Sequence, residues 1–237
     1  MVILMATACG IDDYPYLESI SSGNVAMTFS DRAIVYLNNP NPLYFRRFSI
    51  YYRIYVSDIS LTTINTGNMQ SVNPSLYSDY TYFDQYITST SRMNTNFDNL
   101  FRQRNFRLLA LEGADIESYL DSGAVGGTLV IEFPTSDGSI PFMNLSGNPN
   151  RILLRNNIGF SPRPTDRRFS NTPDLYLDDN LTNTINADVA NKSGIPPSPR
   201  HTYASMYILA AGVNTANSSY APIYSVPTFI GVFRLPD

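Results

Sequence analysis

Phe48-Ser49-Ile50-Tyr51-Tyr52-Arg53-Ile54-Tyr55-Val56 is the stretch whose reading decides the fold. Ile50, Tyr52, Ile54 and Val56 alternate along it with Tyr51, Arg53 and Tyr55. Successive side chains of a strand point to opposite faces, so a period of two sorts these residues onto two sides. One side is aliphatic and aromatic. The other carries a single charge among tyrosines. β-Branched and aromatic residues dominate, and these fit a pleated, half-buried surface.

Two further stretches near the end of the chain have the same character. Tyr203-Ala-Ser-Met-Tyr-Ile-Leu-Ala-Ala-Gly-Val213 is an almost unbroken apolar run, as expected of a central strand buried on both faces. Ser225 to Leu235 carries Phe229, Val232 and Phe233, and its Pro227 belongs at a strand start or an edge because proline cannot donate to a ladder. Asn214 to Tyr224 reads as a long hairpin loop between them. The three segments are expected in one sheet, the last two adjacent and antiparallel. Asn24–Ser30 and Ala33–Leu37 add two short strands about a turn at Ser30-Asp31-Arg32, followed by the loop Asn38-Asn-Pro-Asn-Pro42. Both ends of the chain are therefore β, which predicts a mainly β protein, an antiparallel β-sandwich.

The middle, about 65–200, is too long for an ordinary sandwich connection and predicts an inserted segment with structure of its own. Tyr80, Phe83 and Ile87, then Phe97, Leu100 and Phe101, recur at three- and four-residue spacing, which predicts one or two short helices broken near Thr88–Ser91. Phe106–Leu111, Gly127–Phe133, Ile140–Leu145 and Arg151–Arg155 read as strands, and Asp137-Gly138 marks a β-hairpin. Pro162–Pro173 and Asp188–Pro199 read as irregular, proline-rich loops.

Composition narrows the function classes. With 237 residues the chain hides roughly 70% of its unfolded surface on compact folding, so it needs no covalent staples. Hydrophobic residues are 43% and charged residues 15%, the balance of a folded chain rather than a disordered one. A net charge of −4, with Lys192 the single lysine, excludes a strongly basic nucleic-acid binder. One cysteine and one histidine exclude disulfide frameworks and metal sites that need several of either, and no cofactor or metal is expected. No stretch is apolar for the twenty or so residues of a spanning helix.

The amino terminus offers an address. Met1-Val-Ile-Leu-Met5 is apolar, and Ala6-Thr7-Ala8-Cys9 follows. This resembles the lipobox of bacterial lipoproteins, in which the signal peptide is cut before a cysteine that then carries lipid. The resemblance implies that 1–9 is the remnant of a signal peptide, that Cys9 is lipidated, and that 10–24 is a tether leading to a single domain over 25–237. A basic residue normally precedes the apolar run, so the start is expected further upstream. The strands at 48–56, 203–213 and 225–235 resemble the C, F and G strands of fibronectin type III domains, implying an immunoglobulin/fibronectin III-like sandwich with tyrosine or phenylalanine where a tryptophan is usual. Tyr-Tyr-Arg-Ile-Tyr (51–55), Phe-Arg-Leu-Leu-Ala-Leu-Glu-Gly (106–113), Ser-Met-Tyr-Ile-Leu-Ala-Ala-Gly (205–212) and Pro-Ile-Tyr-Ser-Val-Pro (222–227) are similar to a group of spirochaete lipoproteins of unassigned function. That likeness implies an exported protein of the bacterial cell envelope, held to the membrane by its lipid. It brings no catalytic residues.

Candidate chemistry is sparse. His201 is the one histidine, and no Gly-x-Ser-x-Gly elbow accompanies it. Its ordinary role is that of a strand-end residue. Asp174, Asp178 and Asp179 offer oxygen ligands of the type calcium takes, without EF-hand spacing. Glu112 and Glu132 are the candidate carboxylate pair for an envelope glycan or peptide hydrolase, the alternative to a binding module. Asn144, Asn180, Asn191 and Asn217 begin Asn-x-Ser/Thr sequons, which have no meaning for a bacterial lipoprotein. The excess is in aromatics, with 17 Tyr and 13 Phe. Tyr51, Arg53 and Tyr55 share one strand face, and tyrosine and arginine often dominate binding energy. The expected site is therefore that face, contacting a protein or glycan partner, in a non-catalytic binding or structural module.

Overall fold

The computed structural model describes residues 16–28, 31–38, 41–88, 95–136, 138–156, 167–169, 188–190, 201–215 and 220–236. It is mainly β, with two antiparallel sheets and a few short helices. Strands β1 (Val25–Thr28), β2 (Arg32–Tyr36) and β3 (Phe45–Ser57) come first. Helices α1 (Met69–Val72), α2 (Pro74–Thr88) and α3 (Phe97–Gln103) follow, then β4 (Arg107–Leu108), β5 (Ala110–Leu111) and α4 (Ile116–Tyr119). The chain continues through β6 (Thr128–Glu132), β7 (Phe142–Leu145), β8 (Arg151–Leu154), β9 (His201–Val213), β10 (Pro222–Tyr224) and β11 (Thr228–Arg234).

The first sheet is built on the long pair β3–β9, running from Phe45 opposite Gly212, through a register shift before Arg47, to Ser57 opposite His201. β4 flanks β3. Along the other edge of β9 lie β10 and then β11, so the expected adjacency of the last two strands holds, with an extra strand inside what reads as a hairpin loop. The second sheet runs β1–β2–β6–β7–β8–β5. Its inward residues Ala33, Val35, Leu129, Ile131, Met143, Leu145 and Leu153 share one apolar core with Phe48, Ile50, Tyr52, Ile54, Met206, Ile208 and Phe233 of the first sheet. At roughly 1.5–3 kcal/mol for each fully buried large apolar side chain, this face-to-face burial is the main stabilising term.

Two expectations about domain layout need correcting. The segment 65–200 is not an insertion into a completed sandwich: β5, β6, β7 and β8 of the second sheet all come from it. β1 and β2 alone leave the inner face of the first sheet uncovered, so the middle strands are needed to bury it. The crossing occurs at Leu109, between β4 in the first sheet and β5 in the second. Its amide donates to Ile50 O (2.8 Å), and its side chain is buried in the core. Nor is 10–24 wholly a tether. Leu17 and Ile20 are buried in the core, and the Thr228 hydroxyl donates to Ile20 O (2.5 Å). Three-residue spacing puts two apolar side chains on one side of this segment, and burying them against β9 and β11 outweighs leaving them in water.

Helices α1, α2 and α3 cover the outer face of the first sheet, while Ile116 of α4 joins the core between the sheets. Asn73 starts α2: its side-chain oxygen accepts from the amides of Ser75 (2.8 Å) and Leu76 (3.2 Å), with Pro74 in the first helical position. Its side-chain amide donates to Val56 O (2.8 Å), pinning the helix start to β3. Asn96 caps α3 through the Asn99 amide (2.9 Å). Leu76 and Phe83 of α2, and Phe97 and Phe101 of α3, are turned inward onto the sheet.

Candidate functional site

Tyr51 and Tyr55 are buried, not exposed, at 4% and 0% of their surface. The Tyr51 ring stacks on Phe101, centroids 4.5 Å apart and planes 6° from parallel, and its hydroxyl donates to Asp98 (2.5 Å). Tyr55 packs among Ile64, Met69, Val72 and Leu76. Its hydroxyl donates to Asp79 of α2 (2.7 Å), as does the Arg53 guanidinium (2.6 Å). Arg104 completes the set from beyond α3, donating to the other Asp79 oxygen (2.7 Å) with its guanidinium 3.6 Å from the centre of the Tyr82 ring. The expectation that this strand face offers itself to a partner is thereby corrected. A face of two tyrosines and one arginine can be sealed because α2 brings the Asp79 carboxylate to Tyr55 and Arg53, and α3 brings the Asp98 carboxylate to Tyr51. Burial raises the pKa of Tyr51, and the hydrogen bond to Asp98 adds to the rise. Burial and then the Asp79 charge do the same to Tyr55.

The inner face holds a second buried network. Arg155 clasps Asp188 through Nε (2.8 Å) and Nη2 (2.5 Å), and the Tyr52 hydroxyl donates to the same carboxylate (2.8 Å). That hydroxyl also accepts from the Asn156 amide (2.7 Å). Asp188 is wholly buried, and its carbonyl accepts from the Ile54 amide (2.9 Å). A bidentate pair with every polar end satisfied, enclosed in an apolar core, is a structural cross-tie between β3 and the segments at 155 and 188.

A cavity of about 560 Å³ opens beside these helices. Its walls are the N-terminal segment Ser19–Ser22, the Tyr80, Phe83 and Asp84 side of α2, Tyr207 of β9, and Val226–Phe229 leading into β11. The rings stand at angles to one another: Tyr80 to Phe229 at 72° (5.2 Å), Tyr207 to Phe229 at 54° (5.1 Å), Phe83 to Tyr207 at 53° (5.1 Å). The rings are in edge or tilted contact with one another, Phe83 and Tyr207 being buried and Tyr80 and Phe229 half-buried at the cavity wall. The Tyr207 hydroxyl is buried without a hydrogen-bond partner. The Ser205 hydroxyl, two residues along the same face, eases Tyr207 ionisation, though neither hydroxyl has a partner in full hydrogen-bond geometry. Burial raises the Tyr207 pKa well above its ordinary value, so the hydroxyl stays neutral. Among the described residues Asp84 is exposed and has no ion-pair or hydrogen-bond partner. A volume in the usual range for small-ligand sites, aromatic walls and a few polar groups make this the candidate site.

The other sequence candidates fall apart on geometry or lie elsewhere. Glu132 pairs across the sheet with Phe142, Phe142 with Ile152, and the Glu112 amide donates to Ile152 O (3.0 Å). The two glutamates thus sit in one row three strand spacings apart, about 14 Å at 4.7–4.9 Å per strand. That exceeds the roughly 5–9.5 Å separating the carboxyls of glycosidases, and Glu132 is beside Arg32 (3.8 Å). His201 is half-buried at the start of β9, opposite Ser57. Asn144 donates to Asn148 O (2.5 Å) and Asn150 Oδ1 (3.0 Å). Cys9, with Ala6-Thr7-Ala8 before it, lies outside the described residues, as do Asp174, Asp178, Asp179, Asn180, Asn191 and Asn217. Among the described residues no three His, Cys, Asp or Glu side chains are grouped to hold a metal ion.

No family model, no curated protein and no solved structure matches the chain. The cavity was not foreseen from the sequence, because its walls come from four separate stretches. One signal was present: Asp79 interrupts the stripe Leu76, Tyr80, Phe83 of α2, and a lone acid on a buried helix face requires a basic partner such as Arg53.

Proposed function

We propose that this chain is a non-catalytic binding module of the bacterial cell envelope, anchored by lipid on Cys9, whose aromatic cavity takes a group on a glycan or protein partner. The observation that carries this reading is the cavity between α2, β9 and the Val226–Phe229 segment. The half-buried rings of Tyr80 and Phe229 offer apolar contact, and the exposed Ser19, Ser21, Ser22 and Asp84 offer polar groups around it. The Ala6-Thr7-Ala8-Cys9 pattern supports the address. The row that sets Glu112 and Glu132 about 14 Å apart by strand spacing speaks for a binding module over the hydrolase alternative.

Two measurements test the proposal. Expressed with its upstream coding sequence, the protein should take up a fatty-acid analogue and enter the detergent phase, and Cys9→Ser should leave it unlabelled and aqueous. Retention on envelope glycan and protein fractions should be lost when Tyr80 and Phe229, both only partly buried, are replaced by Ala. Label on the Cys9→Ser protein refutes the anchor. Retention that ignores the two rings refutes the cavity.

A further inference from the structure

Four large hydrophobic side chains are exposed among the described residues: Tyr16, Tyr36, Leu43 and Tyr220. Scattered singly, such residues are ordinary on any surface. These are not scattered. Three of them flank one junction, where the end of β9 meets the start of β3. The Val213 amide donates to Tyr44 O (3.0 Å), and the Asn214 amide donates to Ala221 O (2.9 Å). A Cβ at Gly212 would lie 3.2 Å from Leu17 Cδ1. Leu43, Tyr220 and Tyr16 are the chain neighbours of Tyr44, Ala221 and Leu17. Leu43 keeps 71% of its surface in water and Tyr220 keeps 68%. Tyr36 closes β2, and the loop after it leads to Leu43.

The N-terminal segment leaves the domain at this same end. Cys9 stands seven positions before Tyr16, a reach of at most about 25 Å at about 3.3–3.6 Å per residue. The opposite end of the sheet is further off. β3 has 13 residues, so Ser57 lies about 40 Å from Phe45 at about 3.3 Å per residue. A lipid on Cys9 therefore holds the Leu43 end of the sandwich to a membrane, and not the Ser57 end. Arg46 and Glu18, both exposed here, balance in charge, which suits a neutral headgroup layer rather than a strongly anionic one. Tyrosine sets an apolar ring and a polar tip at the level where hydrocarbon gives way to water.

We infer that this end of the sandwich is a membrane-contact surface: Leu43, Tyr220 and Tyr16 enter the headgroup layer of the bilayer that holds the lipid of Cys9, and they stand the domain upright on it. This rests on the reading of Cys9 as the anchor and adds a second, non-covalent contact to it.

The chain has no tryptophan, so a single one reports its own surroundings. Leu43→Trp puts it in the proposed contact, and Asp58→Trp puts it just past the far end of β3. Both positions are exposed, so thermal unfolding should be unchanged in each. Each full chain, expressed with its upstream coding sequence, is reconstituted in phosphatidylcholine vesicles. Emission of the Leu43→Trp protein should shift to the blue on reconstitution, and lipid brominated near the headgroup should quench it. Emission of the Asp58→Trp protein should do neither. Equal behaviour of the two proteins overturns the inference, and fatty-acid label on the unsubstituted chain then still upholds the anchor. A blue shift of Leu43→Trp that needs no vesicles and grows with protein concentration assigns the surface to a second copy of the chain, and also overturns the inference. An unsubstituted chain that takes up no fatty acid overturns the anchor and this inference with it.

Discussion

Alkali should unfold this protein with unusual steepness. Tyr51, Tyr52, Tyr55 and Tyr207 are buried, and burial is the first cause raising the pKa of each. In the unfolded chain the same phenols ionise near pH 10. Their folded values lie above the unfolded one, so the stability they contribute is complete below about pH 10 and is lost as pH rises beyond it, because the unfolded state then releases protons that the folded state retains. Each phenol removes about 1.4 kcal/mol per pH unit in that range, and four together about 5 kcal/mol. A domain stable by about 5–15 kcal/mol then unfolds within about one to three pH units. Urea unfolding at a series of pH values measures the slope, and phenolate absorbance shows whether ionisation of the buried set coincides with loss of tertiary signal. Tyr51→Phe should lower the slope by about a quarter. Smooth ionisation of all 17 tyrosines with the fold intact would refute the burial on which this reasoning stands.

Other consequences can be checked by thermal or urea unfolding. Asp79→Asn should destabilise by about 3–5 kcal/mol, since it leaves the Arg53 charge uncompensated under α2. Tyr51→Ala should destabilise by about 3–5 kcal/mol, where an exposed tyrosine would give less than about 1 kcal/mol. Gly212→Ala should destabilise by at least about 1–3 kcal/mol, because a Cβ there would lie 2.1 Å from the Tyr44 carbonyl oxygen, a backbone atom that cannot swing aside. The isolated fragment 65–200 should lack a cooperative transition, since its strands belong to a sheet that needs β1 and β2 and a core that needs β3 and β9.

The strands with a clean period were legible in advance. Ile50, Tyr52, Ile54 and Val56 face the core, and β9 is buried on both faces, because alternation and unbroken apolarity depend only on which sides of a strand are covered. What covers a given side was not legible. The outer face of β3 holds tyrosines and an arginine, residue types equally at home in solvent, and the carboxylates that seal it stand 26 positions from Arg53 in α2 and 47 from Tyr51 in α3. Nor does local pattern reveal how 107–111 divides between two sheets. Phe106–Leu111, six residues of suitable propensity, read as one strand, and the break at Leu109 is set by the space between the layers. The cavity is less legible again, because no single stretch supplies more than one of its walls.

Those walls tie the two halves of the proposed function together. Ser19–Ser22 lines the cavity, and Ile20 is pinned beneath it by the Thr228 hydroxyl. Between Cys9 and Ser19 lie few enough residues that, at no more than about 3.3–3.6 Å each, the chain reaches at most about 35 Å. A domain of this length has a radius of gyration of about 18 Å, so its diameter is comparable with that reach. With lipid on Cys9, the anchor therefore restrains one wall of the cavity itself rather than a distant end of the molecule. The domain cannot turn that wall far from the membrane without drawing the linking residues taut. A ligand of the cavity would then be met close to the bilayer surface, and release of the anchor by Cys9→Ser would lower capture at membranes without changing affinity for the same ligand free in solution.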